Sequence, residues 1–287
     1  MDTNAYEIRL PEINVQGIYP RAALFEHNCV PNTHRTFDAD LTLVVRAAVD
    51  IEKGEHLSSI YTDNLWGTWE RREHLLNSKH FLCECARCAD PSELDTHLSS
   101  LKCTQCQDGF IQPSDPLDSD SYFTCDTCGA HVSAVPVRAT LEELQAEVDR
   151  VEEDPSIAAC ETLVWACSKI LHPNHYLILD LTYPLMHLYN SSEPLSREQL
   201  DRKEQLCKQF LRIADVLTPG ISRLRGIVLF ELQQSTDAKG TYIVQLQGRQ
   251  DKRGAHQQVQ GGSGEPGGGS VGAAVGAARA AGGPTGS

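Results

Sequence analysis

The amino-acid sequence predicts an α+β protein in four parts: a β-rich segment over residues 1–90, a small four-cysteine ribbon over 91–137, an all-α region of helical hairpins over 138–235 and a disordered tail over 236–287. Three observations carry this. Cys83, Cys85 and Cys88 crowd into six residues after a run of short alternating segments. Two Cys-x-x-Cys pairs, Cys103/Cys106 and Cys125/Cys128, follow with eighteen residues between them. From Leu141 to Leu232, apolar residues recur at helical spacing between proline breaks.

Taken in order, Tyr6, Ile8 and Leu10 alternate as in a strand, and Leu41 to Arg46 is a stronger one, rich in Leu and Val. The turn Asp50-Ile51-Glu52-Lys53-Gly54 leads to a third extended run, His56 to Tyr61. Thr68 is placed to cap a helix running to about Asn77, with Trp69, Arg72, Leu75 and Leu76 at helical spacing. Thr140 and Glu143 form a capping-box pattern, so a helix is expected to open there and stop near Asp154-Pro155. Further helices are expected over 157–171, 176–189, 197–216 and 222–232. Breaks at His172-Pro173, Ser192-Glu193-Pro194 and Pro219-Gly220 make them antiparallel hairpins. Beyond about Thr236 the character changes, and from Gly254 onward Gly, Ala, Ser and Gln dominate. Such a segment cannot bury enough surface to offset chain entropy. Its abrupt onset fits a shifted reading frame or a mispredicted exon.

Composition narrows the function. A formal charge of −14 opposes gripping phosphate backbones, which needs clustered Lys and Arg, and suits basic partners. Eleven cysteines would suit a secreted disulfide scaffold, but the start, Met1-Asp2-Thr3-Asn4-Ala5-Tyr6, has neither the basic residues nor the apolar run of a signal peptide. The expected location is intracellular, nucleus or cytoplasm, with cysteines reduced or metal-bound. No stretch approaches the roughly 20 apolar residues of a membrane helix.

Cysteines as closely spaced as Cys83, Cys85 and Cys88 point to a metal, and Cys29 is the outstanding fourth thiolate. Cys103, Cys106, Cys125 and Cys128 have the spacing of a second, ribbon-type zinc site. Free buried thiols compete with the first reading, and a redox pair or regulatory disulfide with the second. Two structural Zn2+ ions per chain are expected. Cys160, Cys167 and Cys207 sit among Leu, Val and Ala at helical spacing and are expected to be small core residues.

The motifs Gly17-Ile18-Tyr19-Pro20, His27-Asn28-Cys29-Val30-Pro31-Asn32, Gly54-Glu55-His56-Leu57 to Tyr61, and Cys83-x-Cys85-x-x-Cys88 occur in the order found in SET domains. The chain resembles the SET-and-MYND protein-lysine methyltransferase family over about Asn4 to Leu232, most closely its arthropod-type members with an extra pair of Cys-x-x-Cys motifs. The resemblance implies that residues 1–90 are the C-terminal half of a SET domain plus its post-SET zinc site. It implies that the His27 segment threads beneath the following chain, with S-adenosylmethionine on one side and a substrate lysine on the other. Tyr61 then matches the catalytic tyrosine, Phe81 the aromatic packed on adenine, Asn4 and His27 positions lining the cofactor, and Cys29, Cys83, Cys85 and Cys88 the zinc ligands. Substrates would be lysine-bearing proteins such as basic histone tails, and the helical region, resembling tetratricopeptide hairpins, would take protein partners.

Two departures stand out. Glu26 replaces the family's usual asparagine, and Lys79 stands where many members place an aromatic residue. No Gly-x-Gly strand or MYND finger precedes Met1, so a truncated, inactive product is expected. A non-catalytic, zinc-stabilised interaction scaffold is the alternative to an enzyme. A nucleic-acid-binding ribbon is disfavoured by the acidity and by the lack of an aromatic-basic stripe.

Overall fold

The chain opens on an antiparallel hairpin in which β1 (Ala5–Arg9) pairs with β2 (Asn14–Ile18), Ala5 opposite Ile18 and Arg9 opposite Asn14. The computed structural model describes residues 4–10, 12–106, 108–191 and 195–240. The tail from 241 onward and the Ser192-Glu193-Pro194 break lie outside the described residues.

After a 3-10 turn at Ala22–Leu24, β3 (Glu26–His27) is followed by the antiparallel pair β4 (Thr33–Phe37) and β5 (Leu43–Ala47). The expected strand start at Leu41 is taken by a turn, where Leu41 adopts φ 65 and the Asp40 carboxylate accepts from the Thr42 N–H at 3.0 Å. The extended run over 56–61 contributes only β6 (Ser58–Ser59), paired in parallel with β3. A side chain supplies the rest of its pairing. Asn32 Oδ1 accepts from the Ser58 N–H at 2.8 Å, and its Nδ2–H donates to the His56 carbonyl at 2.8 Å. The His56 carbonyl and the Ser58 N–H are thereby satisfied by a side chain.

Helix α1 (Thr68–Lys79) is capped at Gly67 and not at Thr68. A Cβ at 67 would come within 2.5 Å of Glu70 Oε2 and 2.7 Å of Ser99 Oγ. The Thr68 N–H is instead met from a distant loop, by Glu93 Oε1 and Ser99 Oγ, each at 3.2 Å. The short α2 (Ala86–Ala89) follows the cysteine cluster. A four-stranded antiparallel ribbon of order β10-β9-β8-β7 is built from β7 (Leu101–Lys102), β8 (Phe110–Pro113), β9 (Phe123–Cys125) and β10 (His131–Val132).

Helix α3 (Ala134–Glu153) begins earlier than the Thr140 pattern indicates. Ser133 caps it, and Pro136 is tolerated because first-turn N–H groups have no intrahelical partner. Thr140 lies inside the helix, its hydroxyl donating to the Pro136 carbonyl at 3.0 Å. Then come α4 (Ile157–Cys167), α5 (Tyr176–Leu188) and α6 (Arg197–Leu217), the last opened by a Ser196/Gln199 capping box. A further helix, α7, occupies 223–240 and so extends past the expected tail boundary at 235. It is tied to α6 by Lys239, which pairs with Asp201 at 2.6 Å and with Glu204. The turn before α7 needs glycine: Gly220 has φ +74, and a Cβ there would collide with the Ala48 carbonyl.

Ribbon and helices share one core, in which Cys103, Ile111, Phe123 and Cys125 pack with Val137, Val148, Leu171 and Leu177. A second core joins Leu98, Leu185, Leu206, Phe210 and Val228, with Val30 and Leu65 packed against it. A third holds Cys29, Leu75, Cys83 and Cys88, flanked by Tyr61 and Leu117.

Candidate metal centres and catalytic cavity

The turn after β3 carries Cys29, α1 delivers the chain to Cys83 and Cys85, and α2 holds Cys88. Their four sulfurs lie within 4.8 Å of one another, with Cys29 Sγ 3.9 Å from Cys83 Sγ and 3.5 Å from Cys88 Sγ. A tetrahedron of thiolates at about 2.3 Å from zinc has edges of about 3.8 Å, so the cluster has the dimensions of a four-thiolate zinc site. Cys103, Cys106, Cys125 and Cys128 form a second tetrad within the same limit, with Cys103–Cys128 and Cys106–Cys125 both at 3.7 Å. None of these cysteines is in a disulfide. On an ion bound there, four thiolates would leave no open coordination position, the donor set of a structural centre. Cys160, Cys167 and Cys207 are buried in the helical cores, as expected of small apolar residues.

Around the first centre lie residues that motif reading missed. Arg71, Arg87 and Glu93 are all at least 99% buried, and Arg71 donates to both Cys29 and Cys88. Glu93 pairs with Arg71 at 2.7 Å and with Arg87 at 3.0 Å. The available sequence signal was faint: Arg71 shares the inward face of α1 with the buried Leu75, at i and i+4.

The predicted cofactor and catalytic residues meet beside this centre. The His27 ring lies 5.3 Å from that of Tyr61 and 5.9 Å from that of Phe81. His27 Nδ1 accepts from the Tyr61 backbone N–H at 3.1 Å, which places the ring proton on Nε2, 3.3 Å from Cys29 Sγ. Burial holds this imidazole neutral, its pKa pushed down to about 4 despite the nearby Cys85. Both ring nitrogens are therefore used inside the protein, and His27 offers a ligand its ring face and backbone. The Tyr61 hydroxyl donates to the Phe25 carbonyl, and burial raises its pKa, so it is a neutral phenol whose oxygen keeps its lone pairs. Asn4 and Tyr61 line one cavity of about 390 Å³ together with Tyr6, Arg35, His74 and Lys79. Phe81 is only partly covered and keeps a face for packing. Glu26 points to the exposed side, where its carboxylate meets His56 Nδ1 at 2.7 Å.

The chain is 37% identical over 134 residues to the SET domain-containing protein SmydA-8, isoform A, of Drosophila melanogaster, covering 45% of this chain and 29% of that protein. It is 40% identical over 79 residues to the human histone-lysine N-methyltransferase SMYD3, covering 28% of this chain and 18% of that protein. It is 32% identical over 101 residues to the Xenopus laevis N-lysine methyltransferase SMYD2-A, covering 33% and 23%. The chain thus spans less than a third of each of these relatives. No protein-family profile matches it. The chain is homologous to the SET-and-MYND family of protein-lysine methyltransferases. No helix among the described residues is long and apolar enough to cross a membrane.

Proposed function

We propose that this chain carries the methyl-transfer site of a SET-type protein-lysine N-methyltransferase dependent on S-adenosylmethionine. The observation that supports it most is the contact of the His27 ring with the rings of both Tyr61 and Phe81, with Tyr61 also lining a cavity together with Asn4. In this reading, residues 1–90 are the C-terminal half of a SET domain with its post-SET zinc site, 91–137 a zinc ribbon and 138–235 a partner-binding helical domain.

S-adenosylmethionine would supply an activated sulfonium methyl. Phe81 and His27 would offer ring faces to its adenine side and Asn4 a polar side chain. Tyr61, with its proton committed to Phe25, presents oxygen lone pairs to a polarised methyl or a lysine amine and a ring face to a cationic head. Its burial keeps the phenol neutral, so it orients without taking the proton. Substrates are lysines in basic protein segments, histone tails among them, drawn by a net charge of −14. The site of action is the nucleus or the cytoplasm.

One observation favours a second reading, a non-catalytic zinc-stabilised scaffold: Glu26 puts a carboxylate where the family usually carries an asparagine. Calorimetry of the zinc-loaded chain with S-adenosylmethionine separates the two. The enzyme reading expects saturable heat, with Tyr61→Phe retaining binding within a few-fold while single-turnover transfer to a lysine peptide falls about 10²-fold. No heat at large cofactor excess would leave the scaffold.

A further inference from the structure

A divalent ion held by four thiolates carries two net negative charges, and burying it calls for fixed donors of opposite charge. At the Cys29 centre that donor is Arg71, which is fully buried and uses all five of its N–H groups. Nε–H donates to Cys29 Sγ at 3.2 Å. The two Nη2 hydrogens serve Cys88 Sγ at 3.5 Å and Thr68 Oγ1 at 3.0 Å. The two Nη1 hydrogens serve the Trp66 carbonyl at 2.5 Å and Glu93 Oε2 at 2.7 Å.

Glu93 is in turn the hub of a turn. Its Oε2 also accepts from Arg87, and its Oε1 from Ser99 Oγ at 2.5 Å and the Thr68 N–H. The backbone there is unusual: Glu93, Leu94, Asp95 and His97 have φ of 53, 61, 62 and 58, a left-handed run that residues with a Cβ disfavour. Such a run persists only where its surroundings over-determine it. The same turn seats the helical region, since Tyr176 N–H donates to the Leu98 carbonyl at 2.9 Å, His172 N–H to Ser100 at 3.0 Å and Asn174 Nδ2–H to Thr96 at 3.1 Å.

We propose that Arg71 is a positioning residue that makes the Cys29 metal centre and the turn over 92–100 one cooperative unit. Metal at the centre holds the guanidinium, the guanidinium holds Glu93, and Glu93 holds the turn. By linkage, an ordered turn strengthens metal binding to the same degree. His97 of this turn meets Gln112 of β8 at 3.0 Å, but among the described residues no hydrogen bond of Arg71, Arg87 or Glu93 reaches a ribbon sulfur, so the ribbon ion serves as an internal reference. The inference stands apart from the methyl-transfer reading, because it needs only zinc.

The experiment uses the full chain loaded with zinc, follows chelator competition for the two ions, and identifies the emptied site by mass mapping of alkylated cysteines. Arg71→Lys keeps a charge but loses the fork, and is expected to weaken zinc at the Cys29 centre about 10–100-fold while leaving the ribbon ion unchanged. Glu93→Gln, which touches no sulfur, is expected to move the same ion in the same direction, about tenfold. In the wild type, stripping the Cys29 centre is expected to speed amide exchange over 92–100 more than in ribbon strands β9 and β10. Variants that shift both ions equally or neither, or exchange over 92–100 that ignores the loss of zinc, would overturn the proposal. If neither variant folds, the wild-type exchange result decides alone.

Discussion

Around the ribbon tetrad the chain's own backbone meets the sulfurs: the Gln105 N–H approaches Cys103 Sγ, and the Thr127 and Cys128 N–H groups approach Cys125 Sγ, each at 3.4 Å. Around the Cys29 tetrad the sulfurs also receive side-chain donors, Arg71 brought from α1 and His27 from two residues before Cys29. The difference follows from how the ligands are distributed in sequence. Two Cys-x-x-Cys knuckles bring their own amides, so the ribbon centre is largely self-contained, and one of its ligands, Cys128, is exposed. A lone Cys29 has no paired knuckle, and its site is completed by burying charged groups from the rest of the fold. The same ligand chemistry therefore makes a local staple in one place and a keystone in the other.

The largest test of this contrast compares one ligand from each centre. Cys88→Ser removes a fully buried ligand, and the loss also strands Arg71; it is expected to cost at least about 5 kcal/mol, enough to abolish cooperative unfolding. Cys128→Ser, at an exposed ligand, is expected to release one zinc ion and loosen the ribbon while the remainder keeps a single urea transition. Equal losses from the two substitutions, measured by urea unfolding and elemental zinc analysis, would erase the distinction.

Glu93→Gln comes next, at about 3–5 kcal/mol, because it leaves two buried guanidinium groups without their shared carboxylate. Burial alone would raise the Glu93 pKa, but Arg71 and Arg87 hold it at about 2 against an ordinary 4.5. A depressed folded-state pKa means the stabilisation is fully present above about pH 4.5 and is lost as the pH falls towards 2. Acid also releases zinc from wild type and variant alike. The difference between their urea midpoints therefore isolates the carboxyl, and it is expected to shrink over that window. A difference that stays constant with pH would mean that Glu93 acts by packing and not by charge.

The tetrads were legible because metal ligation leaves a spacing signature: Cys83-x-Cys85-x-x-Cys88 and the two Cys-x-x-Cys pairs announce sulfurs that must converge. The long helices were legible from their period and the breaks between them, as with the expected 197–216 against the observed α6 (Arg197–Leu217). Arg71, Arg87 and Glu93 were not, because a charged side chain on a helix or loop ordinarily points to water and nothing local marks one whose partners lie in other segments. Position 68 failed for the same reason, as its cap comes from Glu93, in the loop beyond α2. Thr140 misled in the opposite sense, since a correct capping pattern was overridden by Ser133 and a first-turn proline. That the His27 nitrogens serve Tyr61 and Cys29 is a choice no linear motif encodes.

The smallest test lies one residue from Arg71. Arg72 is also buried, but its guanidinium reaches carbonyls and no sulfur: Nε–H donates to Cys83 at 3.1 Å, and Nη1–H donates to Pro116 at 3.2 Å and Leu117 at 2.6 Å. It thus ties the Cys29 loop to the ribbon's β8–β9 connection without touching either metal shell. Arg72→Met preserves much of the buried stem and leaves those carbonyls unpaired, so about 2 kcal/mol of stability is expected to go. Zinc affinity at both centres is expected to hold within about twofold, since removing a tether changes neither the charge beside the sulfurs nor their amide donors. If Arg72→Met weakened the Cys29 ion as much as Arg71→Lys does, general packing of α1 would explain both, and the special standing of the fork that touches sulfur would be lost.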